Sequence, residues 1–389
     1  TFILVPIVGV DIILYSISVI LIISAIVGIS KQIKVIAIIL ICISMYSAIF
    51  VQAPLAGIVF EKDTQYHRLL VHDDSVTNIR TLILDNNFHS AMDLDDRHRI
   101  VYEYTKYFHL GLLFTNDAQD VLFIGGGGFS APKKFHADYP EMNIDVVEID
   151  KDVVSAGEEF FFVPQDERLE ITTDDGRIFL RKTDKKYDII VLDAYDKTYV
   201  PFHLMTREFH QLVSEHLTDD GVLISNIITS IDGDSATLFL SELKTMDSVY
   251  SNIHIYPVVS EQEKVIQNII VVAQNKESRV TKFELLSRQE NIEVDLSEEI
   301  EKEYKGILEF NSYKVLEDNF APVENYLNPL TGKQYVKRII SEDGVAIETL
   351  DDNEQNWNSE LSVNQFLFVL ISAIVLVYSI YSYSYIDKN

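Results

Sequence analysis

Two aspartates, Asp193 and Asp196, directly follow the apolar run at residues 189–192. Carboxylates three residues apart at the end of a strand can face one cleft, where they could hold a cationic amine and accept its proton as it attacks. Crowding of the two groups would raise the pKa of one of them. The pattern predicts base-assisted chemistry on an amine, with Tyr195 as a candidate substrate contact. The structural alternative is a helix N-cap beside a solvated acid.

Four consecutive glycines, Gly125, Gly126, Gly127 and Gly128, follow an apolar strand-like run and precede a helix-like one. Backbone without side chains can approach a ligand closely, and the following helix start offers free N–H groups. No Gly-Lys-Ser/Thr follows, so phosphate binding of the Walker type is disfavoured. The run predicts a ligand-binding loop, with a plain tight turn as the alternative.

Further acids end the two next strand-like runs. Glu148 lies about twenty residues beyond the glycines, the spacing at which an acid accepts from both ribose hydroxyls of an adenosine-containing cofactor. Asp174 and Asp175 end the following run before Gly176. An acid there could accept from an adenine amino group, although Asp-Gly is also a common turn. Together these positions predict a nucleoside-type cofactor that contains adenosine.

Histidines give no sign of a metal centre. His203 could be a base, a substrate contact or a polar group beside the cleft, and a structural role is favoured. Five further histidines show no metal-ligand spacing with carboxylates: His67, His89, His98, His109 and His136. Cys42 is the only cysteine, which excludes disulfides within the chain. We therefore expect no metal.

Strand-like and helix-like runs alternate from residue 120 onwards. Strands are predicted at 120–125, 144–150, 168–176, 187–196, 221–228, 252–258 and 266–273, with short helices between the first five. Short strands are expected within 61–92, and residues 95–114 are expected to be helical. The rhythm predicts a mostly parallel α/β sheet covered on both faces, with ligands beyond the carboxyl ends of its strands.

Three apolar runs, uncharged within their limits, are each long enough for a helix to cross a bilayer: 12–29, 35–60 and 366–383. They predict a multi-pass protein of the cell membrane that contacts lipid. Lysines at the ends of these runs place the acidic middle outside by the positive-inside rule, whereas an enzyme that uses a cytosolic cofactor needs it inside. The side of the membrane stays open at this point.

The charge is strongly acidic, with 60 Asp and Glu against 32 Lys and Arg and a net charge of −28. Such a chain repels nucleic acid, which excludes that class of partner. The charge suits cationic substrates such as polyamines, and the alternative is a solvated acidic surface.

Taken together, these motifs resemble the spermidine synthase (polyamine aminopropyltransferase) family, whose fold is that of class I methyltransferases. The family's Tyr-Gln pair on its N-terminal β-hairpin matches Tyr66 and His67, and its DxxD motif matches Asp193–Asp196. The resemblance implies that Glu148 holds the ribose and Asp175 the adenine end. It also implies that Asp193 deprotonates the attacking amine, which Asp196 helps to bind.

The resemblance is closer still to the membrane-fused spermidine synthase-like branch, through residues 193–209, 268–273 and 316–327. That likeness would place Asp318 near the cleft. One departure concerns the glycine loop, where the soluble enzymes carry an Asp that binds the cofactor's amine and this chain has Gly128. The cosubstrate, decarboxylated or intact S-adenosylmethionine, therefore stays open.

The expected architecture is a Rossmann-like α/β domain with an N-terminal β-hairpin region, flanked by transmembrane helices. The predicted segments are 1–60 (two spans), 61–115 (β-rich), 116–330 (synthase-like), 331–363 (acidic linker) and 364–385 (last span). The expected function is aminopropyl transfer to an amine. The alternatives are a methyltransferase, a non-catalytic scaffold and a polyamine sensor. A homo-oligomer or a membrane-complex partner is a further expectation.

Overall fold

The structure is a computed structural model. It describes residues 56–351 except 86, 196–199, 260–263, 277, 331–332, 334 and 342–345, together with seven isolated positions between Val5 and Ile20. The chain divides into two compact units. The first comprises the described residues up to Asp73 together with Ile83–Asn86, and the second comprises Asp74–Leu82 and Asn87–Asp352.

The three predicted membrane spans fall mainly outside the described residues: 366–383 does so entirely, 35–60 up to residue 55, and 12–29 except at five positions. Within the part of the chain that is described, no helix is long and apolar enough to cross a membrane. Membrane attachment therefore stays a prediction from the sequence.

The strands are short, as their apolar runs suggest. They are β1 (Ile58–Asp63), β2 (Arg68–Asp74), β3 (Ile79–Leu84), β4 (Asn87–Asp93), β5 (Asp120–Ile124), β6 (Asn143–Glu148), β7 (Leu169–Thr173), β8 (Tyr187–Leu192), β9 (Leu217–Thr229), β10 (Asn252–Pro257), β11 (Gln267–Gln274), β12 (Tyr335–Ile340) and β13 (Ala346–Asp351). In the first unit β1 and β2 pair as an antiparallel hairpin, as predicted for this region.

Helices connect the strands of the second unit. They are α1 (Gly111–Phe114), α2 (Ser130–Asp138), α3 (Lys151–Phe160), α4 (Gly176–Lys182), α5 (Arg207–His216), α6 (Thr237–Asp247), α7 (Lys282–Gln289), α8 (Ser297–Glu301) and α9 (Val323–Leu327). The predicted helix at 95–114 is wrong in its first half, because helical structure begins only with the 3₁₀ helix Glu103–Leu110. The Asp-rich stretch before it forms turns, in which Asp93 accepts backbone N–H groups from Asp95 and Asp96.

The central sheet has seven strands in the order β10-β11-β9-β8-β5-β6-β7. Strands β7, β6, β5, β8 and β9 are parallel, and β11 and β10 complete the sheet as antiparallel neighbours. The order reverses at β5, whose neighbours are β6 and β8. The structure confirms the mostly parallel α/β sheet, and the point where the order reverses is the place where such sheets bind ligands.

Apolar side chains cover both faces of the sheet, because successive residues of a strand point to opposite sides. In β5, Val121 and Phe123 pack into one buried cluster and Leu122 and Ile124 into the other. All four are at most 2% exposed. Because both faces are packed, the strands are fixed in position relative to one another. The residues just after their carboxyl ends are therefore held in place along one edge of the sheet.

Candidate active site

The carboxyl ends of four parallel strands meet at one edge of the sheet. In the strand register Ile124 of β5 pairs with Val147 of β6 and with Leu192 of β8, and Glu148 pairs with Thr173 of β7. The next residues of these strands are the predicted glycine loop and the predicted acids. The sheet therefore brings together groups that lie up to about seventy residues apart in the sequence.

The glycine loop begins under tight steric constraint. Gly125 has a φ of 101°, and a Cβ there would lie 2.3 Å from the carbonyl oxygen of Asp193. Only glycine fits this backbone and this approach. At Gly128 the N–H donates to Ser90 Oγ at 2.8 Å, and a Cβ would lie 2.7 Å from Ser90 Cβ. The loop is thus packed against the end of β8 on one side and β4 on the other.

Glu148, at the end of β6, is hydrogen-bonded to the backbone of the glycine loop. Its Oε2 accepts from the N–H groups of Gly126, at 2.8 Å, and Gly127, at 3.3 Å. Its Oε1 accepts from the N–H of Asp150 at 3.0 Å. Burial raises the pKa of Glu148, while these three amide donors act in the opposite direction. The carboxylate is therefore oriented at the end of β6, where an acid can accept ribose hydroxyls.

The acids after β7 are held by different partners. Asp174 pairs with Lys182 at 2.5 Å. Asp175 caps α4 by accepting from the N–H of Ile178 at 2.9 Å, and its second oxygen lies 2.8 Å from His203 Nε2. The hydrogen bond from His203 lowers the pKa of Asp175. His203 is thus placed beside a predicted cofactor residue.

Gly176, after this pair, packs against β5. A Cβ at this position would lie 2.4 Å from Ile124 Cγ2. The close packing gives Gly176 a steric function, and it seats the first turn of α4 on the sheet.

Asp193 lies at the end of β8, beside Gly125. Its Oδ1 accepts from Asn226 Nδ2 at 2.8 Å, and Tyr104 OH lies 3.4 Å from its Oδ2. Burial raises the pKa of Asp193 to about 6, and both hydrogen bonds oppose the shift. A carboxylate with this pKa is mostly ionised at neutral pH and is more basic than a solvated one, which suits a proton acceptor.

The neighbours of Asp193 on the chain differ in their placement. Asp196 lies outside the described residues, so its predicted role stays a prediction. The Tyr195 ring packs in the core, and its hydroxyl donates to the carbonyl oxygen of Leu204 at 2.9 Å. This hydrogen bond joins the residues just after β8 to Leu204, and the predicted contact of Tyr195 with substrate stays a prediction.

Tyr66 and His67 lie between β1 and β2 in the first unit. The Tyr66 side chain is largely exposed. His67 Nδ1 lies 2.7 Å from Asp85 Oδ2, and the backbone N–H of His67 donates to Thr64 Oγ1 at 2.9 Å. Their predicted contact with substrate stays a prediction.

Asp318, which lies between α8 and α9, forms an ion pair with Arg177 of α4. Its carboxylate accepts both terminal nitrogens of Arg177, at 2.7 and 2.6 Å, and the hydroxyl of Thr206 at 2.7 Å. Such a two-point contact fixes the planes of both groups. Asp318 therefore lies against the first turn of α4, which Asp175 caps two residues before Arg177.

Sequence reasoning missed Tyr104 and Asn226, whose side chains form the hydrogen bonds to Asp193 found among the described residues. The signal for Asn226 was present, because asparagine is depleted in strands and this one, with Ser225, stands between apolar residues. Tyr104 gave no such signal, since it is one of several tyrosines in its segment. Among the described residues, no group of three or more His, Cys, Asp or Glu side chains is arranged to hold a metal ion.

Residues 103–282 match the family model described as the spermine/spermidine synthase domain. Over 193 residues the chain is 31% identical to the polyamine aminopropyltransferase of Vibrio vulnificus, covering 49% of this chain and 63% of that relative. It is 36% identical over 138 residues to a probable polyamine aminopropyl transferase of Bifidobacterium longum, covering 35% of this chain and 30% of that relative. The chain thus spans less than two thirds of either relative.

The crystal structure of a probable spermidine synthase from Corynebacterium glutamicum has a similar fold. The TM-score is 0.53 at 18% identity, and the alignment covers 68% of this chain and 97% of that one. At this identity the likeness shows the fold alone, which agrees with the predicted class I methyltransferase-like sheet. By sequence, residues 103–282 of this chain are therefore similar to the spermine/spermidine synthase domain.

Proposed function

We propose that this chain transfers an aminopropyl group from decarboxylated S-adenosylmethionine to an amine, with Asp193 as the base. The observation that carries the proposal is the Asp193 carboxylate, which lies beside Gly125 and has a pKa raised to about 6 by burial. The names of the related aminopropyltransferases support the same activity.

The chain's residues would act first on the proton of the acceptor. A free alkylamine has a pKa near 10, so it arrives as an ammonium ion and must lose a proton to become a nucleophile. An ionised Asp193 attracts the ammonium and then accepts that proton. Tyr104 and Asn226 hold its two oxygens, so the carboxylate needs little reorganisation during the transfer.

The residues around the glycine loop fit an adenosine-type cosubstrate. At each of Gly125–Gly128 a Cβ would crowd neighbouring protein atoms, so the loop is closely packed, and Glu148 offers a buried carboxylate for ribose hydroxyls. When bound, such a sulfonium compound supplies an electrophilic carbon with a neutral thioether as leaving group. The amine nitrogen forms the new N–C bond as the C–S bond breaks, and sulfur keeps the electron pair. Positioning of the two reactants would provide most of the rate.

A second candidate is methyl transfer from intact S-adenosylmethionine, and Gly128 favours it. The soluble enzymes of the family carry an acid at this position for the cosubstrate's amine. Here a Cβ at Gly128 would approach Ser90 Cβ to 2.7 Å, so the surrounding structure suits a glycine. This chain therefore lacks the acid that would bind the primary amine of decarboxylated S-adenosylmethionine.

Calorimetric titration of the full chain with decarboxylated and with intact S-adenosylmethionine tests the proposal. We expect tighter binding of the decarboxylated form and at least tenfold weaker binding by Glu148→Gln. Tighter binding of the intact form would replace the proposal with the methyltransferase. If neither compound bound to the folded chain, the non-catalytic scaffold would be the better account.

Membrane attachment is part of the proposal and rests on the apolar runs at 12–29, 35–60 and 366–383. We propose that these runs anchor the catalytic domain to the cell membrane. Alkaline extraction of membranes that carry the full chain should leave it in the pellet. Release of the chain into the supernatant would contradict the anchor without affecting the proposed chemistry.

A further inference from the structure

Three buried polar side chains continue inward from Asp193. Asn226 Nδ2 donates to Asp193 Oδ1 at 2.8 Å, Asn268 Nδ2 donates to Asn226 Oδ1 at 2.9 Å, and Tyr335 OH donates to Asn268 Oδ1. Asn226, Asn268 and Tyr335 are 1%, 2% and 3% exposed. We call these three residues the Asn-Asn-Tyr relay.

The relay is placed by strand register. On the antiparallel pair β9 and β11, Asn226 stands opposite Ile270 and Asn268 stands opposite Ile228. The two asparagines are therefore diagonal neighbours on one face of the sheet. Burying an amide costs free energy unless its hydrogen bonds are met, and each asparagine here meets part of the other's requirement. The free-energy cost of burying the two amides is therefore offset only while the hydrogen bonds that connect them are formed.

The direction of the hydrogen bonds follows from the ionised state of Asp193. An ionised carboxylate only accepts, so Asn226 must present its NH₂ group to it. The Asn226 oxygen then accepts from Asn268, and the Asn268 oxygen accepts from the phenol of Tyr335. Every donor points toward the carboxylate, and aligned hydrogen bonds polarise one another in a low-dielectric interior.

We propose that the Asn-Asn-Tyr relay is a positioning device that fixes the Asp193 carboxylate and holds it in its proton-accepting form. The inference rests on the proposed function, in which Asp193 is the base. Its three members act through Asp193 and contact neither reactant. Tyr335 stands on β12, outside the matched residues 103–282, so a segment beyond the family domain completes the site.

Among the described residues, the groups that stabilise the Asp193 carboxylate are uncharged. The groups that act on the pKa of Asp193 in the described structure are Asn226 and Tyr104. Besides Asp193, the titratable groups that act on the pKa of Tyr104 are Tyr102 and Tyr335. The Lys337 ammonium lies 4.4 Å from the Tyr102 ring centre and 5.2 Å from that of Tyr335. Neutral donors therefore stabilise the carboxylate.

The test uses the full chain with Asn226→Leu and Tyr335→Phe, and Asn252→Ala as control. Asn252 is a buried asparagine on β10 of the same sheet that donates to the carbonyl oxygen of Lys276, away from Asp193. Loss of one hydrogen bond to a carboxylate shifts its pKa by about one unit. We expect the acidic limb of the kcat/KM profile to move up by about one pH unit in Asn226→Leu and by less in Tyr335→Phe.

The other kinetic changes separate positioning from general damage. We expect kcat to fall about tenfold or more in Asn226→Leu and about threefold in Tyr335→Phe, with KM for the sulfonium compound unchanged. In Asn252→Ala we expect the acidic limb of the kcat/KM profile and the value of kcat to stay unchanged. Folded relay variants with an unchanged acidic limb, or a control that shifts as much as they do, would overturn the proposal.

A second readout does not need turnover. Infrared difference spectra between acidic and neutral pH, with Asp193→Asn as the blank, report the ionisation of Asp193. We expect a midpoint of about 6 in the natural sequence and about one unit higher in Asn226→Leu. An unchanged midpoint in Asn226→Leu would refute the relay. A shifted midpoint in a chain without transferase activity would support the relay and reject the proposed function.

Discussion

Asp193→Asn is expected to stabilise the protein while it removes the base. Burial raises the pKa of Asp193 from 3.8 to about 6. Above pH 6 the folded state therefore carries a charge that the unfolded state holds more easily in water. One pKa unit corresponds to about 1.4 kcal/mol, so the ionised carboxylate costs about 3 kcal/mol of unfolding free energy at pH 7.5.

The direction in which stability changes with pH follows from the number of protons that the folded and unfolded states bind. Between pH 3.8 and 6 the folded state binds more protons than the unfolded state, so stability falls as the pH rises through this window. Asparagine carries no charge, and its shape lets Oδ1 accept from Asn226 while its NH₂ donates to the Tyr104 hydroxyl. The stabilisation by Asp193→Asn is therefore expected to grow from about 1.6 kcal/mol at pH 5 to about 3 kcal/mol at pH 7.5.

Urea unfolding of the full chain, followed by circular dichroism at both pH values, measures this difference. The control is Glu170→Gln, which neutralises an exposed acid on β7 and should change stability by less than about 0.5 kcal/mol. An Asp193→Asn variant as stable as the natural sequence at both pH values, or less stable, would refute the reasoning. The carboxylate would then be better solvated than its position indicates.

Three further substitutions test the surroundings of Asp193. Gly125→Ala should lower the unfolding free energy by about 2 kcal/mol or more and abolish turnover, because its Cβ meets the Asp193 carbonyl at 2.3 Å; thermal unfolding would show the loss. Glu148→Gln sets an NH₂ group against one of the backbone N–H donors of Glu148, so circular dichroism must first show that the variant folds; it should then weaken binding of methylthioadenosine at least tenfold in calorimetry, and unchanged affinity would exclude a contact with ribose. Asp318→Asn should cost about 1 kcal/mol in urea at neutral pH by weakening the Arg177 pair. That cost should shrink as the pH falls below about 3.8 and vanish only below the folded-state pKa of Asp318, which the hydrogen bond from Arg177 lowers.

The sequence allowed the sheet and most of its strand ends to be predicted, because the relevant signals are local. Apolar runs of four to eight residues bounded by Gly and Asp mark buried strands, as in β5 and β8. Once the strands are parallel, Gly125, Glu148, Asp174 and Asp193 must share an edge. That inference needs no knowledge of side-chain contacts.

The partners of Asp193 could not be derived in the same way. Tyr104 reaches it from 89 residues earlier and Asn226 from 33 residues later. Such pairs depend on strand register and on the packing of the 3₁₀ helix Glu103–Leu110, which replaced a predicted longer helix. Polar residues in apolar strands, such as Asn226 and Asn268, were the usable signal, because a buried amide requires a partner.

Mass spectrometry of reaction products tests the central claim most directly. The full chain would be incubated at pH 8 with decarboxylated S-adenosylmethionine and a set of diamines, beside Asp193→Asn as the matched control. We predict methylthioadenosine and an acceptor heavier by one aminopropyl group with the natural sequence, and at least a hundredfold less of both with Asp193→Asn. Aminopropyl transfer that Asp193→Asn leaves intact would contradict the role of Asp193. No transfer to any diamine by a chain that binds the cosubstrate would contradict the proposed activity.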